Sequence, residues 1–178
     1  MTAKECITTR RSIRKFKAEQ VSHELLNSIV ETASFAPSWK NTQITRYTVI
    51  EDPAKKAELA SKATIPHNAD IINGAPALVV VTLIKNRCGF ERDGSYTTSK
   101  GDHWQMFDVG VAAQTFCLAA WEQGIGSVIM GIFDEKAIED LLAVPEDQEV
   151  AALIAIGYPD EAPAAPARKA TDILLQYK

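Results

Sequence analysis

HWQMFDVGVAAQTFCLAAWEQ, residues 103–123, is the stretch of sequence that decides the fold. Its middle, residues 109–121, is apolar on nearly every side, which indicates a long helix buried on more than one face. A helix at the surface of a single layer would keep a polar stripe. One face of this helix can therefore pack on a sheet, and the other can pack on a second subunit or on further elements of the same chain.

Strand patterns lie on both sides of this helix. ALVVVTLI, residues 77–84, has the length and β-branching of a buried central strand, and SVIMGI, residues 127–132, predicts a strand after the helix. RYTVIE, residues 46–51, and EVAALIAIG, residues 149–157, predict two more. Residues 85–101 are polar and contain several glycines, so we expect a loop that lies near a substrate entrance or is poorly ordered.

Helical patterns separate these strands. Ser22, Asp52 and Asp134 each suit the N-cap position of an amphipathic or short helix, and a further short helix is indicated around residues 68–73. Strands interleaved with helices of unequal size predict one three-layer domain over residues 1–178. The last residues are rich in proline and alanine and then end in TDILLQYK, which is too apolar for a free tail. We expect an arm that packs elsewhere, for example as an edge strand on a partner.

The composition is that of an ordinary globular protein. Hydrophobic residues make up 46% and charged residues 24% of the 178 residues, which does not favour disorder or a fibrous repeat. The longest apolar stretch is shorter than the roughly 20 residues of a bilayer helix, and no secretory signal is evident. Three cysteines without CxxC spacing argue against a disulfide scaffold and a zinc site. We therefore expect a reducing cytoplasm and no metal.

Positive charge is concentrated near the N-terminus. RRSIRKFK, residues 10–17, holds five cations, and removing them from the net charge of −4 leaves −9 on the rest of the chain. An acidic remainder would repel a long polyanion such as nucleic acid, so a small anion such as a phosphate group is the favoured partner. A solvated charged segment is the alternative.

Several catalytic motifs are absent. GIGSVIMG, residues 124–131, lies between a helix and a strand and lacks the spacing of a dinucleotide-binding loop. The chain has no GxxxxGK[ST] phosphate loop and no GxSxG nucleophile motif, and its three histidines have no recognisable motif partners. No catalytic side chain is predicted, so difficult chemistry would have to come from a bound cofactor.

Three separated segments share their order and positions with one family: RRSIRKF (residues 10–16), APSWKNTQ (residues 36–43) and IAIGYPDEAPAAPARK (residues 154–169). With the long helix and GIGSVIMG, the chain resembles the FMN-dependent nitroreductase family over essentially its whole length. The resemblance implies an α+β fold of three layers, in which helices flank a mixed, mainly antiparallel sheet and a C-terminal arm extends. It also implies a homodimer with shared flavin sites.

The resemblance also implies a set of FMN-binding residues. The matching positions are Arg10, Arg11, Ser12, Arg14, Ser38, Asn41, Gln43, Met130, Gly131, Arg168 and Lys169. Arginines suit the phosphate of FMN because they form charge-assisted, often bidentate hydrogen bonds. One of the N-terminal arginines, most simply Arg14, could instead lie at the pyrimidine edge of the flavin, where negative charge collects on reduction. Arg11 could equally be a solvated or interface side chain.

The other matching positions suit the flavin ring. Amides at Asn41 and Gln43 can donate and accept, as the carbonyl and imide edge of the flavin requires, and glycine at 131 permits a close approach. The family often has Pro-Trp after this glutamine, whereas this chain has Ile44 and Thr45, which bears on the substrate pocket and not on the fold. His67 and Asn68 fall near another ligand position in some relatives, but the local match assigns them no role.

The implied activity is an NAD(P)H-dependent oxidoreductase with ping-pong kinetics. The nicotinamide donor and a small acceptor, such as a nitroaromatic or a quinone, would use the same pocket in turn. The alternatives are a related flavin enzyme that uses dioxygen or removes a substituent reductively, and a flavin- or anion-binding regulator without enzymatic activity.

Overall fold

The computed structural model describes residues 1–178, and every predicted strand is present. The helices are α1 (Ala3–Thr9), α2 (His23–Ala33), α3 (Pro53–Ala63), α4 (Pro66–Gly74), α5 (His103–Glu122), α6 (Glu135–Leu142) and α7 (Thr171–Leu174), with a 3₁₀ turn at Trp39–Asn41. The strands are β1 (Thr45–Ile50), β2 (Ala77–Ile84), β3 (Gly126–Met130) and β4 (Gln148–Gly157). Strand β3 ends two residues earlier than the apolar pattern predicts. No helix or strand forms between residues 85 and 102.

The four strands form one antiparallel sheet in the order β1-β2-β4-β3. Strand β2 lies inside the sheet and is buried on both faces, which explains its continuous apolar sequence. Strands β1 and β3 are the two edges. The parallel component is one isolated bridge, Ser12 to Ser127, beside β3. The predicted α+β fold with a mainly antiparallel sheet is confirmed.

Helices cover both faces of the sheet, as predicted. Alternate side chains of β2 point to opposite faces, so Val79 and Val81 enter the core beneath α2 and α5. Leu78 and Val80 enter the core beneath α3, α4 and α6. The result is a three-layer arrangement with a hydrophobic core on each side of the sheet.

Local capping signals set the helix boundaries. Ser22, Asp52 and Asp134 each accept a hydrogen bond from a backbone N–H three residues further along, which confirms all three predicted N-caps. Helix α1 is not predicted by the sequence pattern. A capping box marks its start, because Thr2 Oγ1 accepts from Glu5 N–H while the Glu5 carboxylate accepts from Thr2 N–H.

Two apolar surfaces are left uncovered by the chain. Helix α5 packs its buried side on the sheet, but Met106 and Phe107 on its other side are exposed, Phe107 at 60%. Residues 164–178 are exposed throughout, including Leu174 and Tyr177, so the C-terminal arm extends from the body. Apolar surface of this kind typically marks an interface. All three cysteines are free, and no helix is long and apolar enough to span a membrane.

A glycine at position 157 lets the N-terminal segment pack against the sheet. A Cβ there would lie 2.5 Å from two ring carbons of Pro76 and 3.1 Å from Phe16. We expect Gly157→Ala to lower the free energy of unfolding by about 1–3 kcal/mol, because a rigid ring and backbone would have to move. Urea denaturation measures this change. Gly74→Ala is the control, since its Cβ would meet nothing within 4 Å, and an equal loss there would contradict the steric explanation.

Candidate functional site

The N-terminal cationic segment is fixed along the β3 edge of the sheet. Ile13 N–H donates to the Ser127 carbonyl at 3.0 Å, and the Ile13 side chain is buried. This pairing places Arg10, Ser12 and Arg14 beside β3. The sequence-predicted cations therefore lie on the folded body and not on a free terminus.

The arginines of this segment differ in their partners. Arg11 donates to the carbonyls of Thr8 and Arg10, both at 2.8 Å, so it closes the end of α1. Arg10 is half-buried, forms no salt bridge, and its Nε is buried without a hydrogen-bond partner. A buried donor without an acceptor is costly, and such a group is typical of a site that receives a ligand. Arg10 thus fits an anionic ligand better than Arg11 does.

An open apolar ledge lies at the end of β3. Gly131 has nothing within 4 Å of the position that a Cβ would take, and its neighbours Ile129 and Ile132 are exposed. Met130 is buried beneath them. The ledge has space for a flat ring that approaches the backbone, with apolar contacts on either side.

Asn68 on α4 is a site candidate to which the sequence analysis assigned no role. Its side chain is only 7% exposed, and Nδ2 donates to the Ile132 carbonyl at 3.0 Å. This bond joins α4 to the residue that follows Gly131. The available sequence signal was a single asparagine near a position used by some relatives, too little to distinguish it from neighbouring polar residues.

The N-terminal cationic segment and the start of the C-terminal arm are hydrogen-bonded to each other. Lys17 N–H donates to the Tyr158 carbonyl, and Asp160 N–H donates to the Lys15 carbonyl, each at 2.9 Å. A cleft of about 510 Å³ opens beside this pairing. Its lining residues are Arg14, Lys15, Phe16, His67, Asp70, Ile71, Gly74 and Glu161. The root of the C-terminal arm therefore lies against the cationic segment.

The C-terminal arm also contains two cations, which do not line this cleft. Arg168 and Lys169 are exposed and form no salt bridge within the chain. Neither side chain forms a hydrogen bond within its own chain.

The segment 36–43 forms a tight turn at the opposite edge of the sheet, just before β1. Lys40, Asn41 and Gln43 all have positive φ, at 45°, 55° and 47°. Within the turn, Gln43 N–H donates to Ser38 Oγ at 3.1 Å, and Gln43 Nε2 donates to Asn41 Oδ1 at 3.0 Å. Ser38 and Gln43 also line a cavity of about 450 Å³ between α2, β1 and α5.

The predicted site residues thus form two groups on one chain. One group lies at the β3 edge and the other at the β1 edge, with β4 and β2 between them. Strand spacing alone separates these edges by about 14 Å.

Asp108 on α5 is a buried acid that the sequence analysis did not select. Its Oδ2 accepts from Trp39 N–H at 2.8 Å and from Cys88 Sγ at 3.0 Å. Burial, and next the hydrogen bond to Asp108, raise the pKa of Cys88 to about 12, so this thiol stays protonated and able to donate at neutral pH. The signal that could have revealed Asp108 is a single charge within an apolar helix, HWQMFDVGVAAQ.

Comparisons with known proteins agree on one family. A family model described as "Nitroreductase family" matches residues 7–158. An NADPH-flavin oxidoreductase of Vibrio harveyi is 29% identical over 161 residues, which are 89% of this chain and 66% of that protein.

Solved structures give the same result. An FMN-dependent nitroreductase of Clostridium difficile is 29% identical, with a TM-score of 0.73 over 94% of this chain and 92% of that one. A nitroreductase family protein of Streptococcus pneumoniae reaches a TM-score of 0.87 at 22% identity and covers 99% of this chain and all of its own. The second likeness concerns the fold alone.

Proposed function

The chain belongs to the nitroreductase family, and on that premise we propose that it is a homodimeric oxidoreductase that binds FMN and uses NADH or NADPH. The observation that carries this proposal is the half-buried Arg10, whose Nε lacks a partner, on the same strand edge as the open ledge at Gly131. An anionic tail would satisfy the arginine, and a flat ring would fill the ledge. The residues present therefore fit FMN.

Each group of residues has a distinct task in this proposal. Arg10 and Ser12 bind the phosphate, and Arg14 binds either the phosphate or the pyrimidine edge of the ring. Met130 and Gly131 present backbone to the ring without a side chain in the way. Arg11 contributes indirectly by holding the end of α1, in agreement with its backbone hydrogen bonds.

A second subunit completes the site. We assign the turn with Ser38, Asn41 and Gln43 to the partner's flavin because it lies at the β1 edge of its own chain. We assign Arg168 and Lys169 of the arm there as well, because both are exposed and form no salt bridge within their own chain. The exposed side of α5 and the apolar end of the arm supply the surface for this dimer.

FMN held by these residues would supply the redox chemistry: hydride acceptance from the nicotinamide, and electron delivery to a nitroaromatic, a quinone or a related conjugated acceptor in a second half-reaction. The chain's own residues bind and orient, and no acid-base pair is required of them. Donor and acceptor would use the open ledge in turn, which gives ping-pong kinetics. The three free cysteines agree with the reducing cytoplasm that we propose as its location.

An absorbance spectrum tests this function directly. We expect the purified protein to carry, or to bind on addition, a yellow flavin that is released as FMN on denaturation. Anaerobic addition of NADH or NADPH should bleach the flavin, and a quinone or nitroaromatic should restore its colour. Initial rates at several fixed acceptor concentrations should give parallel double-reciprocal lines.

Each other outcome of this experiment has a distinct meaning. Protein that binds no added FMN would refute the cofactor. Protein that binds FMN but oxidises no donor with any acceptor would be a flavin-binding regulator and not an enzyme. Donor oxidation that requires air, or that releases a substituent from the acceptor, would identify the related flavin chemistry instead.

A further inference from the structure

Asp108 is the one buried carboxylate that joins α5 to the turn 38–43. The side chain is only 5% exposed and has no cationic partner. One oxygen, Oδ2, accepts from both Trp39 N–H and Cys88 Sγ. A buried carboxylate without a cation is costly, so its presence calls for an explanation beyond packing.

The turn that Asp108 holds is conformationally strained. Three non-glycine residues in six, Lys40, Asn41 and Gln43, adopt left-handed backbone angles. Each such residue costs on the order of 1–2 kcal/mol relative to an ordinary conformation. Contacts from the rest of the chain must therefore keep the turn in place.

Few such contacts are available. Lys40 pairs with Glu91 at 3.2 Å, but both side chains are about half exposed, and such pairs contribute little. The Trp39 ring packs on Trp104 at 5.0 Å, which fixes the ring and not the backbone. Arg46 Nη1 donates to the Gln43 carbonyl at 2.8 Å, but this hydrogen bond is exposed. The part-buried hydrogen bond from Trp39 N–H to Asp108 joins the backbone of the turn to α5.

We propose that Asp108 is a positioning residue for the flavin: its carboxylate holds the turn 38–43 in the strained conformation that presents its hydroxyl and amide side chains to the cofactor. This inference rests on the proposed FMN site. Asp108, Ser38 and Gln43 line the same cavity, so the carboxylate acts on the turn at short range. Through Cys88 the same oxygen also ties down the start of the loop 85–101.

Substitution of Asp108 tests the proposal against a matched control on the same helix. Asp108→Ala should weaken FMN binding roughly tenfold or more, since the turn would no longer be held ready. Gln105→Ala is the control: Gln105 is also buried on α5 and accepts from one backbone N–H, that of Asn86 at 2.6 Å, but it forms no hydrogen bond with the turn. Asp108→Asn should restore FMN affinity to within about threefold, because its amide oxygen can still accept from Trp39 N–H.

Two measurements are needed, and one is independent of the cofactor. FMN affinity is measured by quenching of flavin fluorescence. Hydrogen exchange of the flavin-free proteins follows residues 39–43, which should exchange roughly tenfold faster in Asp108→Ala and at the wild-type rate in Gln105→Ala. Asp108→Leu, which keeps the branched shape of the side chain but removes the acceptor, replaces the alanine variant if that variant does not fold.

The outcomes separate this inference from the function on which it rests. Faster exchange in the turn together with weaker FMN binding, both absent from the control, supports the role of Asp108. Unchanged FMN affinity in a variant whose turn exchanges faster overturns it, as does weakened affinity with no change in the turn. If the wild-type protein itself fails to bind FMN, the proposed function is wrong.

Discussion

Replacing Arg10 and Arg14 together by alanine is expected to weaken FMN binding roughly a hundredfold or more. Each charge-assisted hydrogen bond to an ionised ligand contributes about 1.5–3 kcal/mol, and a tenfold change in affinity corresponds to about 1.4 kcal/mol. Neither arginine forms a salt bridge within the chain, so neither removal leaves a carboxylate unpaired. Fluorescence titration with FMN measures the change.

The matched control is Lys55→Ala with Lys62→Ala on α3, which makes the same change in net charge on an exposed surface. It should leave FMN affinity unchanged. An equal loss in the control would mean that overall charge and not local contact binds the phosphate. Unchanged affinity in the arginine variant would mean that the phosphate lies elsewhere.

Riboflavin, which lacks the phosphate, distinguishes the roles of the two arginines. Single replacement of a residue that binds only the phosphate should lower FMN affinity and leave riboflavin affinity unchanged. Replacing a residue at the pyrimidine edge should lower the affinity for both FMN and riboflavin. The replacement should also lower the reduction potential of the flavin, because the lost cation stabilises the reduced anion. Arg14 could take either role on the sequence alone, and single variants at positions 10 and 14 assign the roles.

Local signals made most of the fold predictable from sequence. The bounds of β2 are predictable because seven of its eight residues are apolar, a composition typical of a strand inside a sheet that is covered on both faces. The N-caps at Ser22, Asp52 and Asp134 act on the backbone three residues away, within reach of pattern analysis. Helix α1 was missed because it is seven residues long and buries a single side chain, Cys6, too little for an apolar period.

The candidate site was less predictable because it depends on long-range placement. The segments that carry Arg10, Ser38 and Arg168 were recognised from their resemblance to a family, and no local pattern showed that two of them lie at opposite edges of the sheet. The hydrogen bonds from Trp39 N–H to the Asp108 carboxylate and from Asn68 Nδ2 to the Ile132 carbonyl each join residues more than sixty positions apart. Side-chain contacts of this kind leave no periodic trace in a sequence.

Removing residues 165–178 is expected to abolish tight FMN binding and weaken the dimer while the subunit stays folded. No residue after position 157 is buried, so the truncated chain keeps the sheet and both cores. The deletion takes away Arg168 and Lys169, which on the proposed model bind the phosphate, and affinity should fall by roughly a hundredfold. Circular dichroism checks the fold, and sedimentation measures the dimer.

Two further variants separate the charges of the arm from its apolar end. Arg168→Ala with Lys169→Ala in the full chain should lose FMN affinity and remain dimeric, because the exposed Leu174, Leu175 and Tyr177 are still present to pack on the partner. Removing only residues 170–178 should weaken the dimer first and FMN binding only in proportion to the dimer lost. If the chain without residues 165–178 binds FMN as tightly as the full chain, the arm is not part of the flavin site.

FMN should also stabilise the dimer, because Arg10 of one subunit and Arg168 of the other would bind the same phosphate. The affinity for FMN should therefore rise with protein concentration until dimerisation is complete.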